Sequence, residues 1–364
     1  MSKYDKYVFL PSFSLEPNKV TSYNSVFIKD FTTNTLKSIH EFKTRKVIRK
    51  NNGVQSTDIK TKSDINICQL NRSTHNFNIS DNAYRTLKRR INWLYYLAKS
   101  KSVKTYNGKS IYNFKIGFIT LTLPGKQRTC TADVTKLLLN NFLTEIRHRT
   151  KMENYVWRLE FQKNGNVHYH IVTDTYVDYF LIQKVWNRIL KLNGYIESYQ
   201  QKFKDLSLTQ YRNLVDKEQK TEFNVISKRY AKGKQTNWEN PPSVDVKSVI
   251  SNKAISNYIS KYFGKDNDEN PIKNEHDNDE NSSNLRLWFC SRSLSKLKSV
   301  SNFCGAIEYD IFAVVSWFKE QKTIIGKYAT VIYFEIKSCI GGPRIFIEKL
   351  LKDYAKKQGY IPAL

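Results

Sequence analysis

The sequence predicts an α+β fold in which two helices cover one face of a small antiparallel sheet. Three observations lead there. Phe114 to Leu123 reads Phe-Lys-Ile-Gly-Phe-Ile-Thr-Leu-Thr-Leu, a strand rich in aromatic and β-branched residues, and Pro124-Gly125 closes it. Two further runs of that kind, Tyr155 to Phe161 and Val167 to Thr173, flank the turn-forming Asn164-Gly165-Asn166 and predict a β-hairpin. Between and after these strands lie two stretches of helical periodicity. One runs from Thr131 to about Arg149, with Leu137, Leu138, Phe142 and Ile146 as its apolar stripe, and the other from Val177 to Leu192.

The rest of the chain is read around this unit. Residues 1–78 form a polar N-terminal extension, with short strand candidates at Tyr7 to Leu10 and Val26 to Ile28 and a basic run from Lys43 to Lys50. The central domain spans 79–264. It opens with Ser80-Asp81, an N-cap for a helix reaching about Lys99, which carries Leu87, Ile91, Leu94 and Leu97 on one side. Arg85, Lys88, Arg89 and Arg90 are placed on its outer side, either to contact phosphates or simply as a solvated face. Residues 196–242 are polar, end in Pro241-Pro242 and read as an insertion. A short strand at Val244-Asp-Val-Lys and a helix from Ser251 to Phe263, ended by Gly264, complete the domain. Residues 265–284 are acidic and rich in Asn, a disordered linker that is either a solvated spacer or a restraint on non-specific nucleic-acid binding. A C-terminal region, 285–364, resumes folded character with a strand at Thr330 to Ile336 and a helix from Pro343 to Lys357.

Composition narrows the partner. The 364-residue chain carries 60 Lys and Arg against 33 Asp and Glu, a net charge of +27. Such an excess points to a polyanion, nucleic acid before a membrane surface, because no amphipathic anchor helix, signal-peptide core or spanning segment stands out. The five cysteines, Cys68, Cys130, Cys290, Cys304 and Cys339, are scattered without a Cys-x-x-Cys spacing and read as reduced thiols of a cytoplasmic protein.

Two of only six histidines fall in the hairpin, in Glu160-Phe-Gln-Lys-Asn-Gly-Asn-Val-His168-Tyr-His170. Residues two apart on a strand share a face, so both imidazoles point the same way. With a three-residue loop Glu160 falls opposite His170 and Gln162 opposite His168. A two-residue loop changes the parity and turns Glu160 away. Two imidazoles and a carboxylate on one patch suit a divalent metal; the other reading is a half-exposed strand face with polar side chains.

A second constellation is Ser256-Asn-Tyr258-Ile-Ser-Lys261-Tyr262-Phe-Gly-Lys265. On a helix Tyr258 and Tyr262 lie on one face and Lys261 borders it. Tyrosines so spaced commonly serve packing, but a phenol also attacks phosphorus when a metal polarises the phosphate and a cation offsets charge.

The Phe118-Ile-Thr-Leu-Thr-Leu-Pro124 strand, the Glu160/His168/His170 hairpin and the Tyr-x-x-Lys-Tyr helix, in that order, resemble the three motifs of the HUH endonucleases. More narrowly they resemble the rolling-circle replication initiators of single-stranded DNA phages and plasmids. Leu285-Arg-Leu-Trp288-Phe-Cys-Ser291-Arg292 is similar to a stretch that follows the tyrosine helix in phage initiators. The resemblance covers about 114–292 and implies a ferredoxin- or RRM-like palm. It implies Mg²⁺ or Mn²⁺ held by His168, His170 and Glu160. Tyr258 would be the nucleophile, forming a 5′-phosphotyrosine and leaving a 3′-OH primer. Tyr262 would be a second nucleophile, against the alternative of an aromatic neighbour, and Lys261 a charge-stabilising group. The Thr-Leu-Thr strand is expected to be mainly structural, and Gln162 to support the metal ligands.

Implied partners are single-stranded or hairpin origin DNA, with Lys88, Arg89, Arg90, Lys265 and Arg292 as DNA contacts, together with a host helicase and DNA polymerase in a bacterial cytoplasm. Gly108-Lys-Ser is only a fragment of a phosphate-binding loop, because Val103 stands where its first glycine belongs. The alternatives are a related HUH transposase or relaxase, and a non-catalytic nucleic-acid-binding regulator.

Overall fold

The computed structural model describes residues 7–30, 35–38, 79–105, 108–150, 152–162, 164–216, 218, 220–249, 285–303, 311, 314–315, 318, 321–326, 329–338 and 341–362. The expected tyrosine helix, the acidic linker and the basic run at Lys43 to Lys50 lie outside them. The fold is α+β. The chain divides into two compact units, residues 1–70 with 296–360 and residues 71–295 with 361–364.

The first unit begins with β1 (Tyr7–Glu16), β2 (Lys19–Asp30) and β3 (Thr35–Ser38). The second holds α1 (Asp81–Leu97), β4 (Lys101–Lys104), β5 (Ser110–Phe114) and β6 (Ile116–Thr122). A continuous helical stretch, α2, follows as Thr131–Asp133, the π-helical Val134–Leu139 and Asn140–Thr150. Then come β7 (Tyr155–Phe161), β8 (Val167–Thr173) and α3 (Tyr179–Leu192). The helices α4 (Tyr195–Phe203), α5 (Leu208–Val215) and α6 (Phe223–Gln235) precede β9 (Val244–Val249), β10 (Trp288–Cys290) and α7 (Arg292–Ser295). The chain returns to the first unit with β11 (Val300–Phe303), β12 (Gln321–Ile325), β13 (Ala329–Phe334) and α8 (Gly342–Lys357).

In the first unit the strands order β11-β1-β2-β13-β12, with β3 also on β2. Ser12 to Leu15 of β1 pair with β11, and Lys19 to Tyr23 of β2 with β13. Strands of the N-terminal extension and of the C-terminal region therefore share one sheet. The buried Phe13, Leu15 and Val20 show that the extension contributes core.

In the second unit an antiparallel sheet runs β10-β7-β8-β6-β9. One face is apolar: Ile119 and Leu121 of β6, Trp157 and Leu159 of β7, and Val167, Tyr169 and Ile171 of β8 are buried. Against it lie Leu138, Phe142 and Ile146 of α2 and Ile182, Val185 and Trp186 of α3, the two expected helices. Trp186 is fully buried and its indole N–H donates to the Thr122 carbonyl at 3.1 Å, satisfying its polar edge.

Several details depart from expectation. Leu137 is 45% exposed, because the π-helical turn holds more residues per turn than 3.6 and brings Leu138 and Leu139 inward instead. The strand expected from Phe114 to Leu123 divides at Lys115, whose ammonium donates to the Tyr95 carbonyl at 3.0 Å; β5 then pairs with β4, and β6 with β8 and β9. On α1, capped by the Ser80 hydroxyl, Arg90 is 7% exposed and so not on the outer side. It follows Leu87 by three residues and precedes Leu94 by four, which puts it on the apolar stripe. The insertion is helical, built round Tyr199, Phe203, Tyr211, Ile226 and Trp238. Gly233 lies flush against Trp238: a Cβ there would meet the indole at 2.2 Å.

The hairpin turn is held from both sides. The Gln162 amide donates to Asn166 O and the Gly165 amide to Gln162 O, both at 2.9 Å, and Gly165 takes φ +82°, a left-handed conformation open to glycine at no steric cost. The buried Asn166 clamps the turn to the loop after β6. Its Nδ2 donates to Gly125 O at 2.7 Å and its Oδ1 accepts from Gln127 N at 2.8 Å, while Gln127 Oε1 accepts from Val167 N at 3.2 Å. Asn166→Ala leaves a buried donor and a buried acceptor unsatisfied and should cost about 2–4 kcal/mol. The exposed Asn164, with one 3.1 Å local bond, should cost under about 1 kcal/mol as Asn164→Ala. Urea midpoints at unchanged m-value read the difference; equal losses would show that Asn166 holds nothing the turn needs.

Candidate functional site

The second face of the five-stranded sheet carries polar residues in register. Trp288 stands opposite Arg158, Arg158 opposite His170, His170 opposite Thr120 and Thr120 opposite Asp245. The next row holds Glu160, His168 and Thr122. Directly paired residues share a face, so side chains of five strands meet on one surface.

Glu160, His168 and His170 do come together, with one correction. The three-residue loop is 163–165, so Glu160 pairs with His168 and not with His170, and Gln162 stands across from Asn166. Parity survives because the register moves by two, and Glu160 stays on the histidine face. It reaches His170 diagonally: Glu160 Oε2 lies 2.7 Å from His170 Nε2. The two imidazole rings are 4.7 Å apart centre to centre. His170 is 2% exposed and packs on Phe118, with ring centres 5.6 Å apart, while His168 is half-buried.

The neighbouring strand engages the far ring nitrogens. Thr122 Oγ1 lies 3.0 Å from His168 Nδ1, and Thr120 Oγ1 lies 3.4 Å from His170 Nδ1. Gln162 Nε2 is 3.3 Å from His168 Nδ1. A hydroxyl donates or accepts as needed, so each threonine serves either tautomer while leaving Nε2 toward the open side. The Thr-Leu-Thr strand thus does more than pack. Its two-residue period matches that of His-x-His, which is the signal in the sequence. Arg158 and Asp245 were not anticipated either; each shares Glu160's or Thr120's parity on its strand.

Charge at the site is set by these neighbours. Burial and the charge of His170 push His168 down to about 4, outweighing the carboxylates of Glu160 and Asp245, so its imidazole is neutral near pH 7. Burial alone would raise Glu160. The hydrogen bond from His170, with the charges of His170, His168 and Arg158, prevails and holds the carboxyl below its usual range. Among the described residues no three His, Cys, Asp or Glu side chains already form a metal cage; the Glu160–His170 contact stands there instead.

Of the expected DNA contacts, Arg292 is exposed, Lys88 and Arg89 are half-buried and Arg90 is buried. Lys265, Tyr258, Lys261 and Tyr262 lie outside the described residues. No helix among the described residues is long and apolar enough to cross a membrane.

The family model of replication-associated proteins of the ORF2 type matches residues 116–267, from β6 through the hairpin to the Tyr-x-x-Lys-Tyr segment. This match supports a replication initiator family for the chain, and with it a role in DNA replication. No curated protein and no solved structure gives a significant match.

The depressed His168 makes a pH prediction. In the window between about 4 and 6.5 the unfolded chain takes up a proton that the folded chain refuses. The contribution of His168 is therefore fully present above pH 6.5 and is lost as pH falls toward 4, at up to about 1.4 kcal/mol per pH unit. His168→Gln should show a shallower fall of urea-derived stability from pH 7 to pH 5 than the parent chain. Identical slopes would mean that His168 titrates alike in both states.

Proposed function

We propose that the chain initiates rolling-circle DNA replication by cutting and rejoining single-stranded or hairpin-extruded origin DNA through a tyrosine. The observation that carries this reading is the convergence of Glu160, His168 and His170 on one sheet face within the segment matched by the replication-associated family. The donor set fits a divalent cation. It offers a carboxylate held ionised, a neutral imidazole and a second imidazole, with Nδ1 contacts from threonines of the kind that orient metal-binding histidines. Mg²⁺ or Mn²⁺ bound by these three residues would supply Lewis acidity toward a non-bridging phosphate oxygen.

Around that centre the chain's own residues divide the work. Arg158 adds positive charge beside Glu160. Tyr258 attacks phosphorus, its phenolic oxygen forms the new P–O bond, and the bond to the 3′ oxygen breaks, leaving a 3′-OH that primes synthesis. Lys261 offsets charge at the attack, and Tyr262 takes the second transfer that closes the circle. The strand leading into the tyrosine segment is β9, whose Asp245 stands in the histidine rows. The positive net charge supplies affinity for the strand that falls with salt. Unwinding and polymerisation fall to a host helicase and polymerase. A relaxase- or transposase-type use of the same chemistry is the nearest alternative.

A denaturing gel tests this. Single-stranded DNA tiled from the chain's own replicon, incubated with Mn²⁺, should give a covalent protein–DNA band that EDTA abolishes. His170→Ala should lower its yield about 100-fold or more, and the double change Tyr258→Phe/Tyr262→Phe should remove it. Tight DNA binding in EDTA, with no adduct on any fragment, would identify a regulator that only binds.

A further inference from the structure

We propose that the cavity between the π-helical turn of α2 and the outer strands β7 and β10 binds a nucleotide, base and phosphate together, at a site separate from the histidines. The cavity has a volume of about 380 Å³, within the range of small-molecule sites. Trp157 and Phe289, directly paired across β7 and β10, contribute to its wall. Their neighbours Arg158 and Trp288 are paired on the histidine face, so the alternation of the strands puts the cavity on the opposite side of the sheet.

Three features ask for this ligand. Trp157 is 2% exposed, and its indole N–H has no hydrogen-bond partner among the described residues. Buried donors are nearly always paired, and one left over beside a cavity marks the place of an acceptor. Lys136 and Arg286 line the same cavity, both exposed, and neither forms an ion pair among the described residues. They give it a positive mouth without a carboxylate to neutralise it. Arg286 lies over the Phe289 ring at 4.7 Å, and Phe289 is 37% exposed. An exposed aromatic ring beside an arginine is a platform on which a base stacks while the cation meets phosphate.

The helical wall is itself unusual. Val134–Leu139 is π-helical, a form that is rare and found disproportionately at functional sites. Thr135, within it, lines the cavity and is fixed by hydrogen bonds to Thr131 O and Tyr169 Oη, both 2.9 Å. The turn that exposes Leu137 is the one that carries Lys136 to the opening. An anion with an aromatic ring and hydrogen-bond acceptors matches what the walls offer, and a nucleotide has all three. Its source is either a free nucleotide or one unit of a bound strand.

Calorimetric titration of the full chain distinguishes these sources. The probes are dTMP and a ten-residue oligo(dT), and the variants are Lys136→Ala/Arg286→Ala, the ring-to-aliphatic change Phe289→Leu, and a charge-matched control, Lys356→Ala/Lys357→Ala. Binding of dTMP that weakens tenfold or more in the first double variant, and fivefold in Phe289→Leu, establishes the site with a free nucleotide. Loss confined to oligo(dT), and larger than in the control, establishes it with a nucleotide of the strand. No loss beyond the control for either probe overturns the proposal. His168→Ala/His170→Ala should bind dTMP like the parent chain, so a failure of the cleavage chemistry leaves this test intact.

Discussion

Sliding β8 by one residue against β7 would turn His168 and His170 into the helix layer and push Val167, Tyr169 and Ile171 into water. Those three side chains are fully buried, and at about 1.5–3 kcal/mol each their exposure would cost far more than any contact the histidines make. Core burial therefore holds the polar face in place. Left-handed Gly165 sets the turn, and the Asn166 and Gln127 clamp joins it to the loop that follows β6. Together they bring β6, with Thr120 and Thr122, against the histidines.

From that register the electrostatics follow. Glu160 reaches His170 across a diagonal of the ladder, and the same closeness, with Arg158 beside it, keeps its carboxylate charged despite burial. His168 is kept neutral by burial and by the neighbouring imidazole. A charged carboxylate next to a neutral imidazole is the state that divalent ions require of such ligands. Thr120 and Thr122 hold the far side of each ring, so the nitrogens facing outward are set by a strand that contributes no ligand of its own.

Local patterns in the sequence carried much of this. The two-residue period of the strands, the Ser80 cap, the helical stripe of α3 and the shared face of Glu160, His168 and His170 all follow from neighbours a few residues apart. What escaped depended on less local effects. The loop of the hairpin sits one position earlier than the Asn-Gly-Asn triplet implies, a two-residue change in register with no change in parity. The π-helical turn of α2 alters which leucines face inward, and nothing in a 3.6-residue period announces it. Arg90 occupies a stripe position that its charge disguises. The pairing of β1 with β11 and β2 with β13 joins segments nearly 300 residues apart in the chain, and such long-range partners leave no local mark. The aromatic cluster of α4 to α6 was legible in part, in Tyr199 and Phe203 at i,i+4, yet the surrounding charge concealed it.

The account rests on Glu160, His168 and His170 acting as one divalent-ion site, and direct ion binding tests that without any DNA. Electron paramagnetic resonance of free Mn²⁺, titrated into the full chain at pH 7, should show one ion bound per chain. That binding should be lost in His168→Ala/His170→Ala and weakened at least tenfold in Glu160→Gln, with circular dichroism unchanged. Mn²⁺ binding of equal strength in all three proteins, or none in the parent chain, would contradict the account and leave the histidine face as a structural surface of the sheet.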